Sequence, residues 1–139
     1  MKLSTMAAVM SFVSRLEGDS AAFYSKWAER YPEREKIFTA WAEENRKFAK
    51  NIKQTYFGVI TDAIESTFSF TRLDASEYEC DTTLPDEVSL QEVMDKSREM
   101  EERILNFYHD ASQQSEGLLA DLPRLFKKIV QRRRERLQA

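Results

Sequence analysis

Two stretches of this chain repeat one another, and that repeat limits the possible folds more than any other feature. Leu16-Glu17 followed by Phe23-Tyr24 returns 84 residues later as Met100-Glu101 followed by Phe107-Tyr108. Further on, Phe38 with Trp41-Ala42 matches Phe126 with Ile129-Val130 at a spacing of 88, which places a four-residue insertion in the second of two interhelix loops. A repeat of this kind identifies equivalent residues and divides the chain into two units of common pattern. Apolar residues inside each unit recur at three- and four-residue steps, so each unit reads as a pair of helices.

Composition agrees. With 139 residues there is enough chain for one domain with a single core, expected to span 1–139. Three glycines and three prolines are too few turn-formers for a many-stranded β fold, and 42% hydrophobic residues are too many for a disordered chain. The expectation is an all-α fold. One histidine, His109, and one cysteine, Cys80, exclude an internal disulfide, a cysteine-rich zinc site and any metal centre built on several imidazoles. A lone cysteine and the lack of a long apolar run point to a reducing, cytoplasmic setting and no membrane partner. The apolar periodicity runs from Val9 into Phe12, Leu16 and Phe23, so the first ten residues read as helix rather than as a signal peptide.

Ser4 or Thr5 can cap a first helix whose stripe is Val9, Phe12, Val13, Leu16, Ser20, Phe23, Tyr24 and Trp27. The pattern breaks at Arg30-Tyr31-Pro32, and Pro32 suits the first turn of a second helix. That helix carries Ile37, Phe38, Trp41, Ala42, Phe48 and Ile52, then continues or kinks near Gly58 toward Phe70. Residues 71–88 read as a crossover loop. Ser89-Leu90-Gln91-Glu92 has the spacing of a capping box and starts a third helix, with Val93, Met94, Met100, Ile104, Phe107 and Tyr108 on its stripe. It ends near Gly117, and a fourth helix from Asp121–Pro123 carries Leu125, Phe126, Ile129, Val130 and Leu137. Two helical hairpins joined by one long crossover, in the order up-down, crossover, up-down, describe a four-helix bundle of the one-crossover class.

The doubled Glu-x5-Phe-Tyr and the Phe38, Trp41, Ala42, Glu43, Glu44 element together resemble the rubrerythrin-like branch of the ferritin-like superfamily, over most of the chain except the crossover. The resemblance implies a ferritin-like four-helix bundle. It also implies a di-iron centre in which the first helix of each hairpin gives a glutamate and the second a Glu-x-x-His pair. The glutamates survive as Glu17 and Glu101. The second-helix positions depart from the pattern: Asn45 and Phe48 stand in the first hairpin, Arg133 and Arg136 in the second. Only two of six ligand positions keep a ligand, and two have become cationic.

A glutamate facing a bundle core cannot stay ionised alone. Glu17 and Glu101 at −2 against Arg133 and Arg136 at +2 balance without metal, and guanidinium groups clamp carboxylates bidentately while repelling a dication. The sharp expectation is a buried Glu-Arg cluster in place of a di-iron site, with no cofactor and no catalytic residue. Its competitor makes 132–136 a fraying, solvated helix end favoured by the macrodipole. The two glutamates would then be protonated, bridged by water, or hydrogen-bonded to Tyr24 and Tyr108, which lie seven residues beyond them on nearly the same face. His109 reads as a surface or capping group, and Cys80, in an acidic exposed loop without a neighbouring base, not as a nucleophile.

Three functional readings follow. The first is a metal-free association module, a homodimer or a binder of another protein through the tract Tyr56, Phe57, Ile60, Ile64, Phe68 and Phe70, which could instead be a lid over the core. The second is a residual metalloprotein or oxidoreductase holding weakly bound iron or manganese through Glu17 and Glu101, helped by Glu44. The third is nucleic-acid binding through Lys127, Lys128, Arg132, Arg133, Arg134 and Arg136, disfavoured by a net charge of −3 and by the lack of interleaved aromatics. Asp74 to Asp95 holds eight acids and no Lys or Arg, and could neutralise that basic helix within the chain or across a dimer.

Overall fold

Thr5 opens the first helix: its hydroxyl accepts from the Ala8 amide at 3.1 Å, satisfying one of the donors a helix start leaves without a partner. In this computed structural model, which describes residues 1–59, 70–115 and 121–139, α1 then runs Met6–Arg30. Pro32 opens a short 3-10 turn, Pro32–Arg34, and α2 follows as Glu35–Val59. Ser89 caps α3, Leu90–Gln114, by accepting from the Glu92 amide, which is the serine half of the expected capping box. The fourth helix, α4, is Asp121–Gln138. Gly117 and residues 60–69 lie outside the described residues, so the expected stop at Gly117 and the extension of α2 beyond Val59 do too.

Each helix buries the stripe its sequence announces. Phe12, Tyr24, Trp27, Phe38, Ile52, Ile104, Phe107, Tyr108, Phe126 and Ile129 are all essentially inaccessible. Burying each such side chain contributes about 1.5–3 kcal/mol. Ile37 departs from the expectation and is exposed; Leu16, Trp41, Met94, Leu125 and Leu137 are half-buried.

The short link at Tyr31 makes α1 and α2 antiparallel neighbours, as Asn45 beside Ser20 and Trp41 beside Tyr24 record. Tyr108 against Phe126 and Glu101 against Arg133 pair α3 with α4 in the same way. Ser97 beside Tyr24 and Phe107 beside Phe12 set α3 antiparallel to α1, so α3 runs parallel to α2. The directions are therefore up-down, then down-up, a correction to the expected second up-down pair. The cause is the crossover, which travels the length of the molecule before α3 begins. The Phe70 amide donates to the Ser4 carbonyl, Lys2 bridges Asp74, Glu79 meets Arg15, and Tyr31 reaches the Val88 carbonyl. Among the described residues that single bridge is the only β feature.

Candidate functional site: a buried carboxylate–guanidinium cluster

Glu17 on α1 and Glu101 on α3 face each other inside the bundle, each 1% exposed. The repeat explains why. Equivalent positions on the first helix of each hairpin meet when the hairpins pack antiparallel, and each glutamate then meets the tyrosine of the other repeat. Tyr24 donates to Glu101 Oε1 at 2.7 Å, and Tyr108 donates to Glu17 Oε2 at 2.6 Å. Because the Tyr24 proton goes to the carboxylate, the Ser97 hydroxyl 2.8 Å away is the one that donates to Tyr24. The position equivalent to Ser97 in the first repeat is Val13, so the two halves are not identical here.

The remaining carboxylate oxygens go to arginine. Arg133, fully buried on α4, sends Nη1 to Glu101 Oε2 at 2.6 Å and Nη2 to Glu17 Oε1, so one guanidinium spans both acids. Its Nη2 also reaches Asn45 Oδ1 at 3.2 Å, and the Asn45 amide donates to Ser20 Oγ at 2.8 Å. Arg136 donates to Glu101 Oε1 at 2.9 Å, to Glu44 Oε1 at 2.8 Å and to the Trp41 carbonyl at 3.2 Å. The Phe48 ring centroid lies 5.7 Å from both guanidinium carbons, so this expected ligand position meets the cations with an aromatic ring.

These contacts set the protonation states. Burial pushes the Glu101 carboxyl up, but Arg133, Arg136 and the Tyr24 hydroxyl more than offset it and hold it below its usual value of 4.5. Glu17 has one guanidinium in contact rather than two. Burial there outweighs Arg133 and the Tyr108 bond, and its carboxyl sits above 4.5. Burial opposes the charge on Arg133, yet the two carboxylates hold it firmly protonated. Burial and then the facing glutamates raise both Tyr24 and Tyr108 well above 10, which keeps each a donor.

The solvated-end alternative for 132–136 is overturned. α4 stays helical to Gln138, and its periodicity turns Arg133 and Arg136 inward while Arg132 and Arg134 face out. Glu44 does not join Glu17 and Glu101; its two oxygens are taken by Arg136 and Arg132. Tyr56 and Phe70 are core residues, not partner surface, whereas Phe57 is 63% exposed; Ile60, Ile64 and Phe68 lie outside the described residues. His109 is on the exposed side of α3. Cys80 is half-buried rather than exposed, and burial together with Glu99 pushes its thiol up, away from nucleophilic character. The basic cluster loses its two buried arginines, and Arg132 is tied to Glu44 and Glu135. Acids of the crossover pair with Arg15 and Lys26 of α1.

Ser97 and the Trp41 carbonyl were not legible as partners of the cluster. A serine on an otherwise apolar stripe was the available signal for Ser97, as it was for Ser20; a backbone carbonyl inside a helix leaves none.

A di-metal centre does not fit these residues. The space between the two acids holds the Arg133 guanidinium, and all four carboxylate oxygens already accept from tyrosine or arginine. Among the described residues no group of three or more His, Cys, Asp or Glu side chains could hold a metal ion, and no helix is long and apolar enough to cross a membrane. No family model, no curated protein and no solved structure matches this chain.

Proposed function

We propose that this chain is a ferritin-like, rubrerythrin-related module in which guanidinium groups have taken over the charge balance that metal ions provide in that superfamily, and that it acts by association rather than by catalysis. The observation that carries this reading is Arg133, wholly inaccessible and hydrogen-bonded to Glu17 and Glu101 at once. An arginine that bridges two buried carboxylates, one nitrogen to each, ties the helices that carry them in one register and leaves no carboxylate oxygen free for turnover. The long crossover between two hairpins of common pattern supports the superfamily assignment. A reducing cytoplasmic setting belongs to the same reading, which takes a homodimer as its simplest assembly.

Two measurements test it. Protein purified without chelator is expected to carry no stoichiometric iron or manganese by elemental analysis; an equivalent of either metal would restore the metalloprotein reading. Gel filtration with light scattering is expected to give twice the 16.3 kDa chain mass, and a strict monomer would remove homodimerisation.

A further inference from the structure

We infer that the cavity between α1, α3 and the crossover is a binding site for a compact apolar amine, an organic cation whose hydrocarbon body fills the floor and whose charge faces the rim. This goes beyond the metal-free reading and does not depend on it. The cavity holds about 390 Å³, within the roughly 300–1,000 Å³ of small-molecule sites. Leu16, Ser20, Met100 and Ile104 make most of its floor, and these are two equivalent pairs of the repeat, Leu16 with Met100 and Ser20 with Ile104. The cavity therefore sits on the approximate two-fold relation between the hairpins, lined by Leu16 and Met100, the residues that precede Glu17 and Glu101 in the chain. Phe12 closes one end of the floor, and residues 78–82 of the crossover form the roof.

The space is built rather than slack. Tyr78 donates to Asp110 at 2.6 Å, Arg103 donates to the Glu79 carbonyl at 2.9 Å, and Arg15 pairs with the Glu79 carboxylate, so the roof is tied to both helices beneath it. Leu16, on the cavity floor, is only half-buried. The charge at the rim selects the occupant. Arg15 is neutralised by Glu79, which leaves the lining carboxylates of Asp19 and Asp81 in excess. Of the cations nearby, Lys96 is paired with Glu99, whereas Arg103 donates to the neutral Glu79 carbonyl and keeps its charge, so Asp19 and Asp81 against Arg103 leave the rim one negative charge in excess. An apolar floor under a net acidic rim matches an amine with a hydrocarbon body and repels a carboxylate of the same shape.

Cys80 lines this cavity and is the only thiol in the sequence, so its alkylation reads occupancy directly. The full chain is treated with iodoacetamide in the presence of 1-adamantylamine, 1-adamantanol or 1-adamantanecarboxylate, three molecules of one shape and different charge. The amine is expected to protect Cys80 at about tenfold lower concentration than the carboxylate, the factor that one screened charge contact supplies, with the alcohol between them. In an Asp19→Asn, Asp81→Asn double variant, whose changes are on exposed side chains and which leaves Arg103 as the unbalanced charge, the preference for the amine is expected to be lost while the alcohol still protects. Failure of all three to slow alkylation would overturn the site. A carboxylate or alcohol that protects as well as the amine, or a preference that survives the double variant, would overturn the assignment of a cation.

Discussion

At Arg133 a single side chain does what no pair of identical residues could do. The two-fold relation between the hairpins puts equivalent acids opposite one another, but the centre between them has room for one guanidinium, so the equivalent position on α2 cannot also be arginine. Asn45 stands there and accepts from Arg133 through its oxygen while donating to Ser20 through its nitrogen. Glu17→Ala should therefore lower stability by roughly 3–5 kcal/mol, since it strips one carboxylate from a buried cation; urea denaturation of the two proteins measures this. Replacing Glu17, Glu101, Arg133 and Arg136 with apolar residues of similar volume, together with Tyr24→Phe and Tyr108→Phe so that neither buried hydroxyl loses its acceptor, should cost less than the single change. Tyr108→Phe removes one hydrogen bond to a buried carboxylate and is expected to cost about 1.5–3 kcal/mol by the same assay. An unchanged midpoint for Tyr108→Phe would mean that the phenol is only packing.

The helices owe their ends to local chemistry, and the caps at Thr5 and Ser89 were legible from the residues alone. Ser89→Ala should cost about 1 kcal/mol, seen as a lower thermal midpoint, because the Glu92 amide loses its acceptor. The crossover is a different case. No periodicity marks its path, and its anchors are single long-range bonds such as Tyr78 to Asp110 and Arg30 to the Asp86 carbonyl. Tyr78→Phe is expected to cost about 0.5–1.5 kcal/mol and to speed proteolysis within residues 78–88 more than elsewhere. Uniform cleavage along the chain would instead show that the crossover opens only with the whole molecule. The surface pair Arg15–Glu79 should contribute no more than about 1 kcal/mol, being half exposed at both ends.

For the whole molecule, acid stability follows from how the carboxylates are paired. Glu101 and Glu44 both titrate below 4.5 in the folded state, so the unfolded chain takes up their protons first and stability is lost as pH falls below 4.5 through their folded values. Burial is the largest influence on each, outweighed by Arg133 and Arg136 at Glu101 and by the Arg136 and Arg132 hydrogen bonds at Glu44. Glu17 runs the other way. Its folded value is raised, so its contribution favours the folded state more as pH falls through that value toward 4.5. Thermal melts across this range should show a midpoint that drops steeply only below pH 4.5, and Glu101→Gln should flatten that drop. EDTA should leave the midpoint at neutral pH where it was; a lower midpoint on chelation would place an ion in the fold. The repeat, the helical periodicity, the caps and the inward-facing glutamates were all determined by the sequence, because each is a local pattern that one helix can express. The parallel run of α2 and α3, the cavity under the crossover and the choice of Arg133 as the cation shared by both acids were decided only by tertiary structure. These depend on which faces meet after the hairpins dock, and a guanidinium's fate, solvent or core, turns on neighbours far away in the chain.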